Sequence, residues 1–118
     1  MTRSHKERLF EYCRRLPGVT EDVKWEKDLV FSVGEKMFAV FMIPEGEPVG
    51  FKVDEEFFPM LIQHPGIVPA PYMAKHSWVS VTRLDVLPAE ELERLLARSH
   101  HLVANKLSKK KRRDLGVE

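Results

Sequence analysis

The chain has 118 residues, 43% of them apolar and 31% charged, with eight prolines and six glycines. That is one domain's worth of near-average globular composition, which excludes two full-size domains, wholesale disorder and a collagenous or disulfide-rich scaffold. The formal net charge of +1 averages over strong segregation: +3 in residues 1–16, −6 in 17–56, −2 in 57–93 and +6 in 94–118. Local fields rather than the average attract a polyanion, so two basic ends around an acidic middle form an interaction signal. Solvated surface charge is the plainer reading. The lone Cys13 cannot form an intramolecular disulfide, and no CxxC or zinc-ligand spacing is present. With no signal-peptide pattern at the start and no run of 18 apolar residues, a cytoplasmic chain without a membrane span is expected.

Ser4-His5-Lys6-Glu7 has capping-box spacing and predicts a helix start. Leu9, Tyr12, Cys13 and Leu16 then recur at helical spacing until Pro17-Gly18 stops the helix. Cys13 lies on that apolar stripe, as a small core hydrophobe does. Short β-rich runs follow at 29–33, 36–43 and 49–53, with room for a further short strand around 24–26. Gly34-Glu35 predicts a two-residue hairpin, and Pro44-Glu45-Gly46-Glu47-Pro48 a longer turn, so the strands should run antiparallel. The 37–43 run is apolar on both faces and suits a middle strand. Asp54-Glu55-Glu56 opens a short helix through Phe57 to Ile62, and three prolines in 64–71 predict an extended loop. Residues 78–84 alternate as a strand. Leu92, Leu95, Leu96, Leu102, Val103 and Leu107 then trace one face of a long helix entered through Pro88. A basic tail from about 106 to 118 completes one domain. The order α-β-β-β-α-β-α packs most simply as an α+β sandwich, an antiparallel sheet with helices on one face.

Several ordered segments carry a resemblance. They are Leu16-Pro17-Gly18-Val19-Thr20-Glu21-Asp22, Val33-Gly34-Glu35-Lys36-Met37-Phe38-Ala39, Pro65-Gly66-Ile67 with Pro69, Tyr72-Met73-Ala74-Lys75-His76-Ser77-Trp78, and the stretch from Leu102 to Lys110. From about Arg8 to Leu115 the chain resembles the MmcQ/YjbR family of small bacterial proteins. The resemblance implies a frataxin-like (CyaY-like) sandwich and a DNA-binding label. Fold alone does not establish function. Where the family usually has Ser-Tyr-Asp before Leu-Val, this chain has Ser99-His100-His101. Frataxins bind iron through an acidic first helix; here that helix is basic, with Arg3, Lys6, Arg8, Arg14 and Arg15, which argues against iron delivery.

Lys106, Lys109, Lys110, Lys111, Arg112 and Arg113 place six cations in eight residues. Such side chains neutralise phosphates without reading sequence, although cations at a helix end also complement its dipole. Lys75-His76-Ser77-Trp78 sets a cation and an indole together; Trp78 either stacks on a base or plugs the core. Lys75 and Arg83, at the ends of one strand, would frame a groove with Lys36 and Lys52. Trp25 serves equally as a lip of that surface or as a cap on the sheet edge. Lys106 projects near the buried face of the last helix, as a snorkelling lysine does. His100 and His101 point about 100° apart and cannot chelate one metal by themselves. No catalytic motif is present, and His64, Tyr72, His76 and Asp85 would need a shared cleft to act as an acid–base set. The expectation is therefore a monomeric, non-enzymatic, sequence-tolerant nucleic-acid-binding domain without cofactor or metal. The alternative is a protein-interaction or small-anion module.

Overall fold

The sheet is built around a hairpin whose turn admits few side chains. In the computed structural model, which describes residues 5–24, 28–42, 48–70 and 73–117, β2 (Asp28–Val33) and β3 (Lys36–Met42) pair antiparallel through Gly34-Glu35. Both turn residues have positive φ, 56° and 70°, the signature of a type I′ turn, whose twist matches that of the flanking strands. A β-carbon at Gly34 would lie 2.6 Å from Leu107 Cδ1, so the glycine also admits the segment that follows the long helix. Ser4 of the expected capping box, Trp25, most of the 44–48 turn and Tyr72 lie outside the described residues.

Six antiparallel strands form one sheet in the order β1-β2-β3-β4-β6-β5, where β1 is Val19–Lys24, β4 Val49–Lys52, β5 Ile67–Pro69 and β6 Trp78–Val81. Helices α1 (His5–Arg15) and α3 (Ala89–Ala104) pack together and cover one face; α2 (Phe58–Leu61) is a single turn. An antiparallel sheet with helices on one face is the expected α+β class, but the element order differs. It reads α-β-β-β-β-α-β-β-α-α, not α-β-β-β-α-β-α. The additional β1 spans 19–24 and is largely exposed; its charged residues protect a sheet edge, and charge is a poor strand signal. The other added strand, β5, occupies the opposite edge and ends at Pro69, a position that a proline tolerates. The expected single long helix breaks after Ala104. Ser108 accepts a hydrogen bond from the Lys111 N–H at 3.1 Å and caps a separate α4 (Lys109–Leu115). The basic segment is thus a capped helix rather than a tail. It is anchored by Leu115 and Val117 against Gly18, where a β-carbon would approach to 3.0 and 3.2 Å.

Leu9 and Cys13 of α1, Leu92, Leu96 and Val103 of α3, and Phe31, Phe38, Phe41, Val49, Phe51, Val79 and Val81 of the strands form the core. Phe41 receives Phe10 and Phe31 edge-on, with centroids at 4.9 and 5.8 Å, the geometry that aromatic quadrupoles favour. Burial pushes the Cys13 thiol up to about 12, leaving it a core hydrophobe as its place on the stripe suggested. No helix among the described residues is long and apolar enough to cross a membrane.

Two buried polar residues of α3 tie the layers together. A β-bulge at Phe31/Ser32 shifts the β2–β3 register, and the nearby Phe38 carbonyl accepts from Ser99 Oγ at 2.7 Å. Ser99 Oγ in turn accepts from the Lys52 N–H at 2.9 Å, just beyond the last β3–β4 pair, Ala39 with Phe51. His100 stands edge-on to Phe38 and donates from Nε2 to the Pro17 carbonyl at 2.8 Å, fixing α3 to the turn before β1. Replacing Ser99 by Ala strands the Lys52 N–H and should cost about 1–3 kcal/mol in urea unfolding; an unchanged midpoint would refute this role. Burial holds the His100 imidazole below its usual range, against the opposing pull of the Pro17 bond. The unfolded chain therefore binds the proton first, so stability should be full above about pH 6.5 and fall as the pH drops toward the lowered folded value. Between about pH 7 and pH 5, His100→Gln should flatten this decline, as followed by thermal unfolding.

A lysine groove at one end of the sheet

At one end of the sheet, the start of β3, the end of β4 and the start of β6 meet the segment leaving α3. Two adjoining depressions of about 790 and 490 Å³ lie there and share Lys52, His76 and Lys106. The larger adds Lys75, Ser77, Leu102 and the carboxylates of 54–56; the smaller adds Lys24, Lys36, Glu35, Met37, Met73, Trp78 and Val103. Lys36, Lys52, Lys75 and Lys106 therefore converge from β3, β4, the 3₁₀ turn Ala74–His76 and the segment after α3, and Lys24 of β1 also lines the smaller depression.

Lys52 is at the centre of this arrangement. Its backbone is held by Ser99, and its Nζ donates to the His76 carbonyl at 2.6 Å. The turn carrying that carbonyl is closed by Ser77 in the left-handed region, φ 63°, a conformation that costs a non-glycine residue about 1 kcal/mol. The Val53 N–H donates to the Ser77 carbonyl at 2.9 Å and locks the turn to β4. Burial holds the Lys52 ammonium below the usual lysine range. Lys106 adds to that depression by like-charge repulsion, and Glu55 only partly opposes it.

The arginines are used differently. Arg8 grips Glu93 at 2.9 and 3.3 Å, Arg14 grips Glu21 at 2.6 and 2.9 Å, and Arg15 lies 3.9 Å from Glu11. The basic charge of α1 is thus largely met within the fold and does not form an open cationic face. Arg83 is held by Asp85 at 3.0 and 2.6 Å on the bend after β6, outside the groove. Arg98 holds Asp54 at 2.9 and 2.7 Å and keeps that carboxyl below its usual range. By contrast, no salt bridge among the described residues neutralises Lys36, Lys52, Lys75 or Lys106.

Of the residues singled out from the sequence, Lys75 and Lys106 come together here, with Lys36 and Lys52 beside them. Lys106 is exposed at the groove rather than laid along the core. Trp78 corrects the stacking reading: it is only 5% exposed, lying over Gly50 with indole carbons 3.8 and 4.0 Å from where a β-carbon would stand. Its ring cannot accept a base while it fills that space. Lys109, Lys110, Lys111, Arg112 and Arg113 lie on α4 beyond Lys106 and do not line the groove. Of His64, His76 and Asp85, only His76 does. Among the described residues no cluster of His, Cys, Asp or Glu is arranged to hold a metal ion. Lys24 was not anticipated. It lines the smaller depression, although the β1 register sets its backbone opposite Asp28, at the far end of the β2–β3 hairpin from Lys36.

The crystal structure of a Deinococcus radiodurans protein of the domain family DUF419 superposes with a TM-score of 0.85 at 36% identity, covering 95% of this chain and 88% of that one. A Pseudomonas syringae protein of known crystal structure superposes with a TM-score of 0.68 at 28% identity, covering 87% of this chain and 99% of that one. No curated protein sequence matches. The family model YjbR matches residues 14–102, a span containing four of the five groove lysines but neither Lys106 nor α4, and the chain belongs to that family.

Proposed function

We propose that the protein binds nucleic acid through its phosphates, without sequence preference, at the lysine groove. The observation that carries this reading is the juxtaposition of Lys52 and Lys106. Two ammonium groups near enough to repel each other are held at the centre of a concavity, one of them half-buried, with no salt bridge to either. A fold keeps such an arrangement at an electrostatic cost, and an anion seated between the two cations removes it. Lys36 and Lys75 extend the cationic surface, and the exposed Lys109, Lys110 and Lys111 of α4 follow Lys106 in the chain. The groove offers lysines as point charges rather than planar guanidinium forks, which suits contact with phosphate more than reading of base edges.

Fluorescence anisotropy across a salt series tests this. If Lys52, Lys75 and Lys106 each displace a counterion, log K should fall against log salt with a slope of about −2 to −3, and Lys106→Ala should reduce that slope by about 0.7 to 0.9. Absence of binding near 50 mM salt at tens of micromolar protein would rule the function out. Charge substitutions on α4 are the suitable companions to this variant, because deleting the helix would also remove Leu115 and Val117 from their packing.

The direction of the Lys52 shift gives a second test. Its ammonium loses its proton at lower pH than an ordinary lysine, so affinity should begin to fall early on the alkaline side. Lys52→Arg, which stays charged, should remove that early limb. A profile identical in both proteins would place the anion elsewhere.

A further inference from the structure

We infer that the groove selects a single strand over a duplex, seating one phosphate chain between Lys52 and Lys106. This rests on the polyanion reading above and specifies the form of the polyanion. Lys52, His76 and Lys106 are common to both depressions and mark the line where the two meet, with Lys75 on the larger side and Lys24 and Lys36 on the smaller. A duplex presents two phosphate chains across grooves about 6 and 12 Å wide, and it is gripped best by cations on both sides. Here, beyond the shared Lys52 and Lys106, the wall of the larger depression carries more carboxylates than lysines. Glu55 and Glu56 are exposed on the wall of the larger depression, and Glu35 lines the smaller. A second phosphate chain on the side of the larger depression would lie toward Glu55 and Glu56 and be repelled.

The smaller depression supplies a further reason. Met37 and Met73, both half-buried, border the same lysines and give an apolar surface beside the phosphate position. An unpaired base can turn its face onto such a surface, and methionine side chains adapt to any of the four bases. Bases stacked within a duplex present only their edges. Because Trp78 is occupied over Gly50, this contact is made by thioethers rather than by an aromatic platform.

The test compares a labelled oligonucleotide of about 12 nucleotides with the duplex of the same sequence near 50 mM salt. The single strand should bind about tenfold tighter. The double variant Glu55→Gln/Glu56→Gln, altered only at exposed positions, should narrow the ratio by strengthening the duplex. Equal or tighter binding of duplex by the unmodified protein would overturn the selectivity while leaving phosphate recognition intact. A ratio unmoved by the double variant would also overturn it, since the acidic flank would then have no effect. Binding of neither form would overturn both proposals.

Discussion

Ser99 Oγ joins three elements with two hydrogen bonds, donating to the Phe38 carbonyl and accepting from the Lys52 N–H. Both partners lie where the strand ladder stops supplying one: Phe38 beside a bulge, Lys52 one residue past the last β3–β4 pair. A fully buried hydroxyl with both roles satisfied fixes α3 at one height over the sheet. That height determines where α3 ends, hence where Lys106 emerges and where Leu107 meets Gly34. The groove is a consequence of this registration. Lys52 and Lys106 come from opposite sides of the Ser99 contact, one along β4 and the other along the helix.

Arginine and lysine divide the electrostatic work. Arg8, Arg14, Arg83 and Arg98 each set paired donors on one carboxylate, Arg8 also reaching Glu90 at 3.5 Å, and three of them tie together elements far apart in sequence or flanking a turn. Exposed pairs of this kind contribute little to stability, about 0–1 kcal/mol each. Their larger effect is to remove charge from the long-range field. The segregation visible along the sequence is therefore rearranged in space: the positive first helix is largely neutralised, while lysines drawn from the acidic middle join Lys106 as open cations. Net charge by segment pointed to the two basic ends, whereas the groove also draws lysines from the acidic middle, because segment sums do not know which acids face which bases.

Much of the architecture could be read from local chemistry. The hairpin at Gly34-Glu35, the stop at Pro17-Gly18 and the apolar stripe of α3 each follow from a few adjacent residues whose backbone or periodicity leaves little choice. Features with weak local signals were missed or misplaced. A charged edge strand looks like a loop, because its only apolar demand is one hydrogen-bonded neighbour. The break between α3 and α4 was concealed by Leu107, which continues the apolar spacing although it packs against the hairpin rather than along the helix; Ser108, followed by a polar run, was the available cap signal. Trp78 admitted two readings, since an indole at a strand start can face either way until the opposite strand shows a glycine beneath it.

By itself, the sequence determined the α+β class, the antiparallel meander, the helical covering and the family, because these depend on periodicity, turn residues and ordered motifs within short stretches. It also determined that cations were plentiful enough to matter. Tertiary structure decided which of them are available. Availability depends on distances between residues far apart in the chain: Arg8 to Glu93, Arg98 to Asp54, and Lys52 to the end of α3. No pattern along one dimension encodes whether a charge meets its opposite or its like, and that distinction separates a neutralised surface from a groove of lysines.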